Sequence, residues 1–310
     1  MKKLISIVTP TFNEEKNIEN LVKEISIQMQ SINYDYEHII IDNDSSDKTQ
    51  ELIKKLCLGD KRVKAIFNNN NFGHIRSPYY AILQTKGDAV ILYNSDFQDP
   101  PELIPALIEK WDQGSDIVLL KRTNTESSFI LEIFKGLFYK IIKSLSEKKL
   151  SEKTTGSGIF DKKIIQELRK IDEPYPYFRG LIAEFTSKIA FLEFNQPKRI
   201  YGISKNNFLT LYDLAMLGII KQSRLPLRIM TISGFISSFI ALLIGLFFLI
   251  YKIFYWNSFQ LGLAPLILGL FFGISIIVLM LGIIGEYLGF ILIQVRKIPL
   301  VVEKQRINFE

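Results

Sequence analysis

Six consecutive residues, Asn94-Ser95-Asp96-Phe97-Gln98-Asp99, follow an apolar run and carry a carboxylate flanked by two amides spaced by two. At the end of a strand such spacing lets Asn94, Asp96 and Gln98 converge on one side. Their oxygens are hard donors of the type Mg²⁺ or Mn²⁺ accepts, with phosphate oxygens completing the shell. The same stretch also reads as a helix start, with Asp99 the cap and Pro101 in the first turn. Both readings can hold, because they use different residues. A second cluster, Asp42-Asn43-Asp44-Ser45-Ser46-Asp47, also follows an apolar run. A carboxylate there can accept hydrogen bonds from a nucleobase N–H or a ribose hydroxyl, while Asp and Ser serve equally as turn and helix caps. Thr11-Phe12-Asn13-Glu14 fits a capping box, with Glu14 three residues after Thr11.

Other chemistries find less material. The two histidines, His38 and His74, are too few and too far apart for a zinc site or a Ser-His-Asp arrangement. His38 lies in an expected strand and reads as structural; His74, in Asn71-Phe72-Gly73-His74, can line a crevice. The single cysteine, Cys57, excludes an intramolecular disulfide and reads as a core residue of a helix.

The elements that must position these clusters follow from periodicity. Residues 4–9, 38–41, 63–67, 89–93 and 117–120 read as strands, several apolar without alternation, as in a parallel sheet buried on both faces. Residues 18–32, 49–58, 75–85 and 103–113 have helical spacing, giving repeated βαβ units. In such a sheet ligands bind beyond the carboxyl ends of the strands, where residues 9–15, 42–49 and 94–99 fall. Residues 129–148 form an amphipathic helical pattern that suits either packing on the sheet or lying on a membrane interface.

The 310 residues leave room for one α/β domain, residues 1–225, and a two-helix hairpin, residues 226–295. The spans are 229–251 and 263–284, the second extending to 293 at most. Each exceeds the roughly 20 apolar residues that cross about 30 Å of hydrocarbon. The net charge of +6 matters mainly by its placement. Lys221, Arg224 and Arg228 precede the first span, Arg296, Lys297, Lys304 and Arg306 follow the second, and the loop between carries only Lys252. The positive-inside rule then puts both termini, including the tail 296–310, in the cytoplasm of a multi-pass cell-membrane protein. Gly269-x-x-x-Gly273 and Gly285-x-x-x-Gly289 suit close helix contact, within the hairpin or in a homo-oligomer. No basic stripe with interleaved aromatics points to nucleic acid.

Pro10-Thr11-Phe12-Asn13-Glu14, Asp42–Thr49, Asn71-Phe72-Gly73-His74, Ser95-Asp96-Phe97-Gln98-Asp99-Pro100-Pro101-Glu102 and Arg199-Ile200-Tyr201-Gly202-Ile203-Ser204-Lys205 resemble family 2 glycosyltransferases. Within them the chain is similar to the polyprenyl-phosphate glycosyltransferases, a likeness that continues through the paired spans and Gly285-Glu286-Tyr287. The resemblance implies a Rossmann-like GT-A sheet, a nucleotide-diphosphate-sugar donor, UDP preferred, a polyprenyl-phosphate acceptor and Mg²⁺ or Mn²⁺. By position it implies Pro10, Phe12, Glu14, Asp42 and Ser95 for the donor and Asn94, Asp96 and Gln98 for the metal. Arg122, Arg199, Ser204 and Lys205 would meet phosphate groups, with Asp96, Arg122, Arg199 and Lys205 as the catalytic set.

Two departures stand out. The family usually has Asp-x-Asp where this chain has Asn94-Ser95-Asp96, and many relatives carry Gly-Asp-Phe-Arg at Gly156-Ser157-Gly158-Ile159. The first removes an anionic metal ligand and the second a proposed base, so no base is assigned. The alternatives are a membrane-tethered sugar-nucleotide binder or assembly subunit without catalysis, and transfer to a glycan acceptor.

Overall fold

The computed structural model describes residues 2–123, 154–197, 216–218, 220–221, 225–255 and 263–309. Arg199, Ser204, Lys205 and the amphipathic segment 129–148 lie outside these residues. The chain divides into two compact units, Met1–Lys221 with Lys297–Glu310, and Gln222–Arg296.

The first unit is built on eight strands: β1 (Leu4–Thr11), β2 (Asp35–Asp42), β3 (Val63–Asn68), β4 (Ala89–Leu92), β5 (Ile117–Arg122), β6 (Thr154–Asp161), β7 (Ile189–Phe194) and β8 (Glu303–Ile307). They form one sheet in the order β7-β5-β6-β4-β1-β2-β3-β8. The β1–β2, β2–β3, β1–β4 and β5–β7 pairs are parallel, whereas β6 runs antiparallel between β4 and β5. The chain steps outward from β1 to β3 and then returns to the other side of β1, which makes the β1/β4 boundary the switch point where such sheets bind ligands.

Helices cover both faces, as the expected pattern requires. Helices α1 (Ile18–Gln30), α2 (Thr49–Gly59) and α4 (Ile104–Asp112) pack on one face through Leu21, Ile25, Ile53, Cys57 and Leu107. Helices α3 (Gly73–Leu83), α5 (Lys162–Arg169) and α6 (Phe178–Phe185) cover the other through Tyr79, Ile82, Ile164, Leu168 and Ile182. Ile5, Ile7, Val8, Ile39, Ile40 and Ile41 are fully buried, which explains why β1 and β2 lack a polar alternation.

Three strands were not expected from the pattern. β6 carries Gly156 and Gly158, a residue type depleted in strands, and so reads as loop. Gly158 is needed there because a Cβ at that position would collide with the carbonyl oxygen of Val118 on the neighbouring strand. β7 is the outer neighbour of β5, and β8, supplied by the C-terminal tail, pairs antiparallel with β3 and covers its edge. Arg76 of α3 reinforces that return, donating to the carbonyls of Leu300 at 2.9 Å and Pro299 at 2.5 Å.

The second unit consists of α7 (Leu225–Phe254) and α8 (Leu263–Val295). Within them Pro226–Phe247 and Gly269–Val295 are long and apolar enough to cross a membrane. Large apolar side chains such as Phe235, Phe239, Phe272 and Leu279 are exposed along them, a surface that suits a lipid surrounding.

Candidate active site

The carboxyl ends of β1, β2 and β4 gather the three polar clusters. Each contains one non-glycine residue in the left-handed region: Asn13 (φ 57°), Asp44 (φ 63°) and Phe97 (φ 55°). Asn and Asp visit this region readily, but a bulky residue does so only when its surroundings hold it there. Phe97 is held by packing its ring against the core cluster that includes Tyr93 and Ile104. Its turn folds the chain so that the Gln98 N–H donates to Asp96 Oδ1 at 3.2 Å.

The first two clusters are stitched together. The backbone N–H groups of Asn13 and Glu14 donate to Ser45 Oγ and Thr49 Oγ1, both at 2.9 Å, and Asn13 Oδ1 accepts from the N–H of Ser46 at 2.8 Å. The expected Thr11–Glu14 capping box is therefore absent. Thr11 belongs to β1 and donates through Oγ1 to the Ile41 carbonyl, while Glu14 accepts from Asn17 Nδ2 at 2.7 Å. Register competes with capping here and wins, because β1 continues to its pairing with Asp42.

Asp42 is fully buried at the end of β2. Its Oδ2 accepts from the N–H of Ser45 at 3.0 Å and from Gln50 Nε2 at 2.8 Å, while Oδ1 has no partner among the described residues. Burial holds this carboxyl above the usual carboxylate range, against the opposing Ser45 and Gln50 hydrogen bonds. A buried acceptor oxygen without a donor is what a nucleoside hydroxyl or N–H can satisfy. Pro10, Phe12 and Glu14 are half-buried on the adjoining strand end, and Ser95 is buried.

Asn43 escaped the sequence reading and is the hub of the neighbouring loop. Its Oδ1 accepts from Asn68 Nδ2 at 3.0 Å and the Phe72 N–H at 2.9 Å, and its Nδ2 donates to Asn71 Oδ1 at 2.8 Å. The run Asn68-Asn69-Asn70-Asn71 was the available signal, since buried asparagines satisfy one another. His38 is buried and pairs with Thr9 Oγ1 at 2.9 Å; burial pushes its pKa down to about 4, so it is neutral and structural. His74 is exposed on the first turn of α3.

At the end of β4, Asn94, Asp96 and Gln98 are all partly exposed, whereas Asp99 is fully buried. Asp99 does not cap a helix. The chain instead enters a 3₁₀ turn at Pro101–Leu103 with no side-chain cap, and Asp99 turns inward to Ser157 and Asn94. Burial raises the Asp99 carboxyl, while hydrogen bonds from Ser157 and Asn94 and the charge of Arg122 oppose the rise. Arg122, the last residue of β5, is half-buried and lies at the same end of the sheet, because β4 and β5 both run antiparallel to β6. Among the described residues no group of three His, Cys, Asp or Glu side chains could hold a metal unaided. The oxygens of Asp96, Asn94 and Gln98 are hard donors, the type a divalent cation takes together with phosphate oxygens.

A mostly parallel α/β sheet with polar clusters at its switch point is the architecture in which such folds bind their ligands. Residues 6–169 match Glycosyl transferase family 2; the chain belongs to that family and is a glycosyltransferase. It is 30% identical over 302 residues to the SfII prophage-derived bactoprenol glucosyl transferase of Shigella flexneri, covering 97% of each chain. It is 31% identical to an uncharacterized glycosyltransferase of Synechocystis, covering 96% of this chain and 93% of the relative. Among solved structures, glucosyl-3-phosphoglycerate synthase from Mycobacterium tuberculosis in complex with Mn²⁺, UDP and phosphoglyceric acid superposes with a TM-score of 0.48 at 17% identity, covering 70% of this chain and 76% of that one.

Proposed function

We propose that this enzyme transfers a sugar from a UDP-linked donor to the phosphate of a polyprenyl lipid such as undecaprenyl phosphate, with inversion at the anomeric carbon, for modification of a cell-envelope glycan. The observation that carries the reading is the extent of the likeness to the bactoprenol glucosyl transferase, which at 97% of both chains includes the two long apolar helices. A catalytic domain joined to such helices suits an acceptor that resides in the membrane. The basic residues flanking the helices orient the domain, both termini and the site toward the cytoplasm.

In this reading Asp42 Oδ1 receives a hydrogen bond from the nucleoside, with Pro10, Phe12, Glu14 and Ser95 forming the rest of its pocket. Asn94, Asp96 and Gln98 would hold Mg²⁺ or Mn²⁺ against the donor diphosphate. When bound, that cation supplies Lewis-acid stabilisation of the departing diphosphate. With one carboxylate and two amides as protein ligands, cation affinity depends on the nucleotide's own phosphates. Arg122, Arg199, Ser204 and Lys205 offset the repulsion between acceptor phosphate and donor diphosphate. A phosphomonoester has a second pKa of about 6, so the acceptor is already mostly a dianion at neutral pH and needs no general base. Ser157, at the position where many relatives carry the acidic residue, therefore leaves the reaction intact.

The test is a product assay with purified, detergent-solubilised protein, undecaprenyl phosphate, Mg²⁺ or Mn²⁺ and a panel of radiolabelled UDP- and GDP-sugars. Transfer of label from one donor into the organic phase is expected. Donor binding without lipid-linked product, under every cation tried, would overturn the reading in favour of a binder or a different acceptor.

A further inference from the structure

The two places where the chain departs from the pattern it resembles touch each other. Asn94 Nδ2 donates to Ser157 Oγ at 3.0 Å, and both side chains donate to the same atom, Asp99 Oδ2, at 3.1 Å from Asn94 and 2.6 Å from Ser157. Asp99 is fully buried and Ser157 is 1% exposed, so the accepting carboxylate oxygen is shielded from solvent. A carboxylate offers only acceptors, and an amide has one donor end and one acceptor end. Reversing the Asn94 amide would set its carbonyl oxygen against a carboxylate oxygen at 3.1 Å, with no proton between them. The orientation of Asn94 is thus dictated by Asp99, and its carbonyl oxygen is the end left for a ligand.

We propose that Asp99, with Ser157, is the positioning residue of the cation site: it fixes the Asn94 amide so that the carbonyl oxygen is presented. The proposal rests on the cation reading given above. It predicts that positions 94 and 99 are energetically coupled. Exchanging the two side chains, in Asn94→Asp/Asp99→Asn, remakes the same hydrogen bond with donor and acceptor swapped.

The experiment is Mn²⁺ binding to full-length protein in detergent with UDP present, followed by the electron paramagnetic resonance signal of free Mn²⁺, so that no turnover is needed. Asp99→Asn is expected to weaken Mn²⁺ binding by about tenfold, the scale of losses when a partner of a metal ligand is removed. Ser157→Ala, which keeps the carboxylate, should weaken it by about threefold, a smaller loss because one of two donors to Asp99 remains. Asn94→Asp should gain little in the wild-type background but restore about tenfold in the Asp99→Asn background. Unchanged binding in Asp99→Asn, or equal effects of Asn94→Asp in the two backgrounds, would overturn the proposal while leaving the cation reading in place. A wild-type protein that binds no Mn²⁺ even with UDP would overturn both. If Asp99→Asn fails to fold, Ser157→Ala and the exchanged double variant decide, since unchanged binding in the first or an unfolded, non-binding second contradicts the proposal.

Discussion

The two ends of the parallel sheet treat buried carboxylates in opposite ways. At the amino-terminal end, Glu37 accepts from Ser6 Oγ at 2.5 Å, from the Lys86 N–H at 2.9 Å and from Lys64 Nζ at 2.7 Å. Burial alone would raise its pKa, but these three partners outweigh it and hold the carboxyl below the usual range. Buried Asp116, bound by Lys163 and Thr186, is likewise lowered, as is the partly exposed Asp88, bound by the Leu4 N–H. At the carboxyl-terminal end, Asp42 and Asp99 are raised by burial, and each keeps one oxygen without a partner among the described residues. One end is finished by the protein itself. The other is left with acceptors that a ligand can complete, at a cost in folding stability.

That contrast can be tested at both ends. The largest effect is expected from Asp96→Ala, which removes the one carboxylate of the proposed cation site. We expect kcat to fall by about 10³-fold or more with no change in melting temperature, and near-normal turnover would contradict the assignment. Next comes Glu37→Ala, which strands Lys64 beside a buried cavity. It should cost about 3–5 kcal/mol in denaturant unfolding while leaving kcat of the folded enzyme unchanged. Loss of activity without loss of stability would break the comparison.

Asp42→Asn should do the reverse, raising the donor KM by about tenfold, the worth of a hydrogen bond to a charged group, with stability equal to or above wild type. A destabilised variant with normal donor KM would show that Asp42 is structural. The smallest effect is in the acid limb of stability. Glu37 has a folded pKa below its unfolded value, so its contribution is fully present above the unfolded value of about 4.3 and is lost as pH falls through the folded one. Asp42 and Asp99 act oppositely: their folded values lie above the unfolded ones, so their penalty at neutral pH is relieved as pH falls. Glu37→Gln should therefore flatten the acid limb of a melting-temperature profile, and Asp42→Asn should steepen it.

Much of this molecule is written in local patterns. The expected strands at 4–9, 38–41, 63–67, 89–93 and 117–120 each fall on observed β1–β5, because unbroken β-branched runs have few other places to go in a sheet buried on both faces. Helices α1–α4 and the two apolar helices followed from periodicity and length in the same way. The three polar clusters were visible because they end those strands. β6 and β8 were not, since their residues carry no apolar pattern and become strands only through the neighbours they pair with.

The sequence by itself determined the family, strands β1–β5, the membrane-length helices and the polar residue types at the strand ends, since each depends on neighbours in the chain. Only the tertiary structure decided that Asp99 turns inward instead of capping a helix, that Asn94 meets a serine 63 residues away, and that Asp42 keeps an unpartnered oxygen. Those facts depend on the register of an antiparallel strand inserted between parallel ones, which fixes contacts across space that no spacing along the chain records.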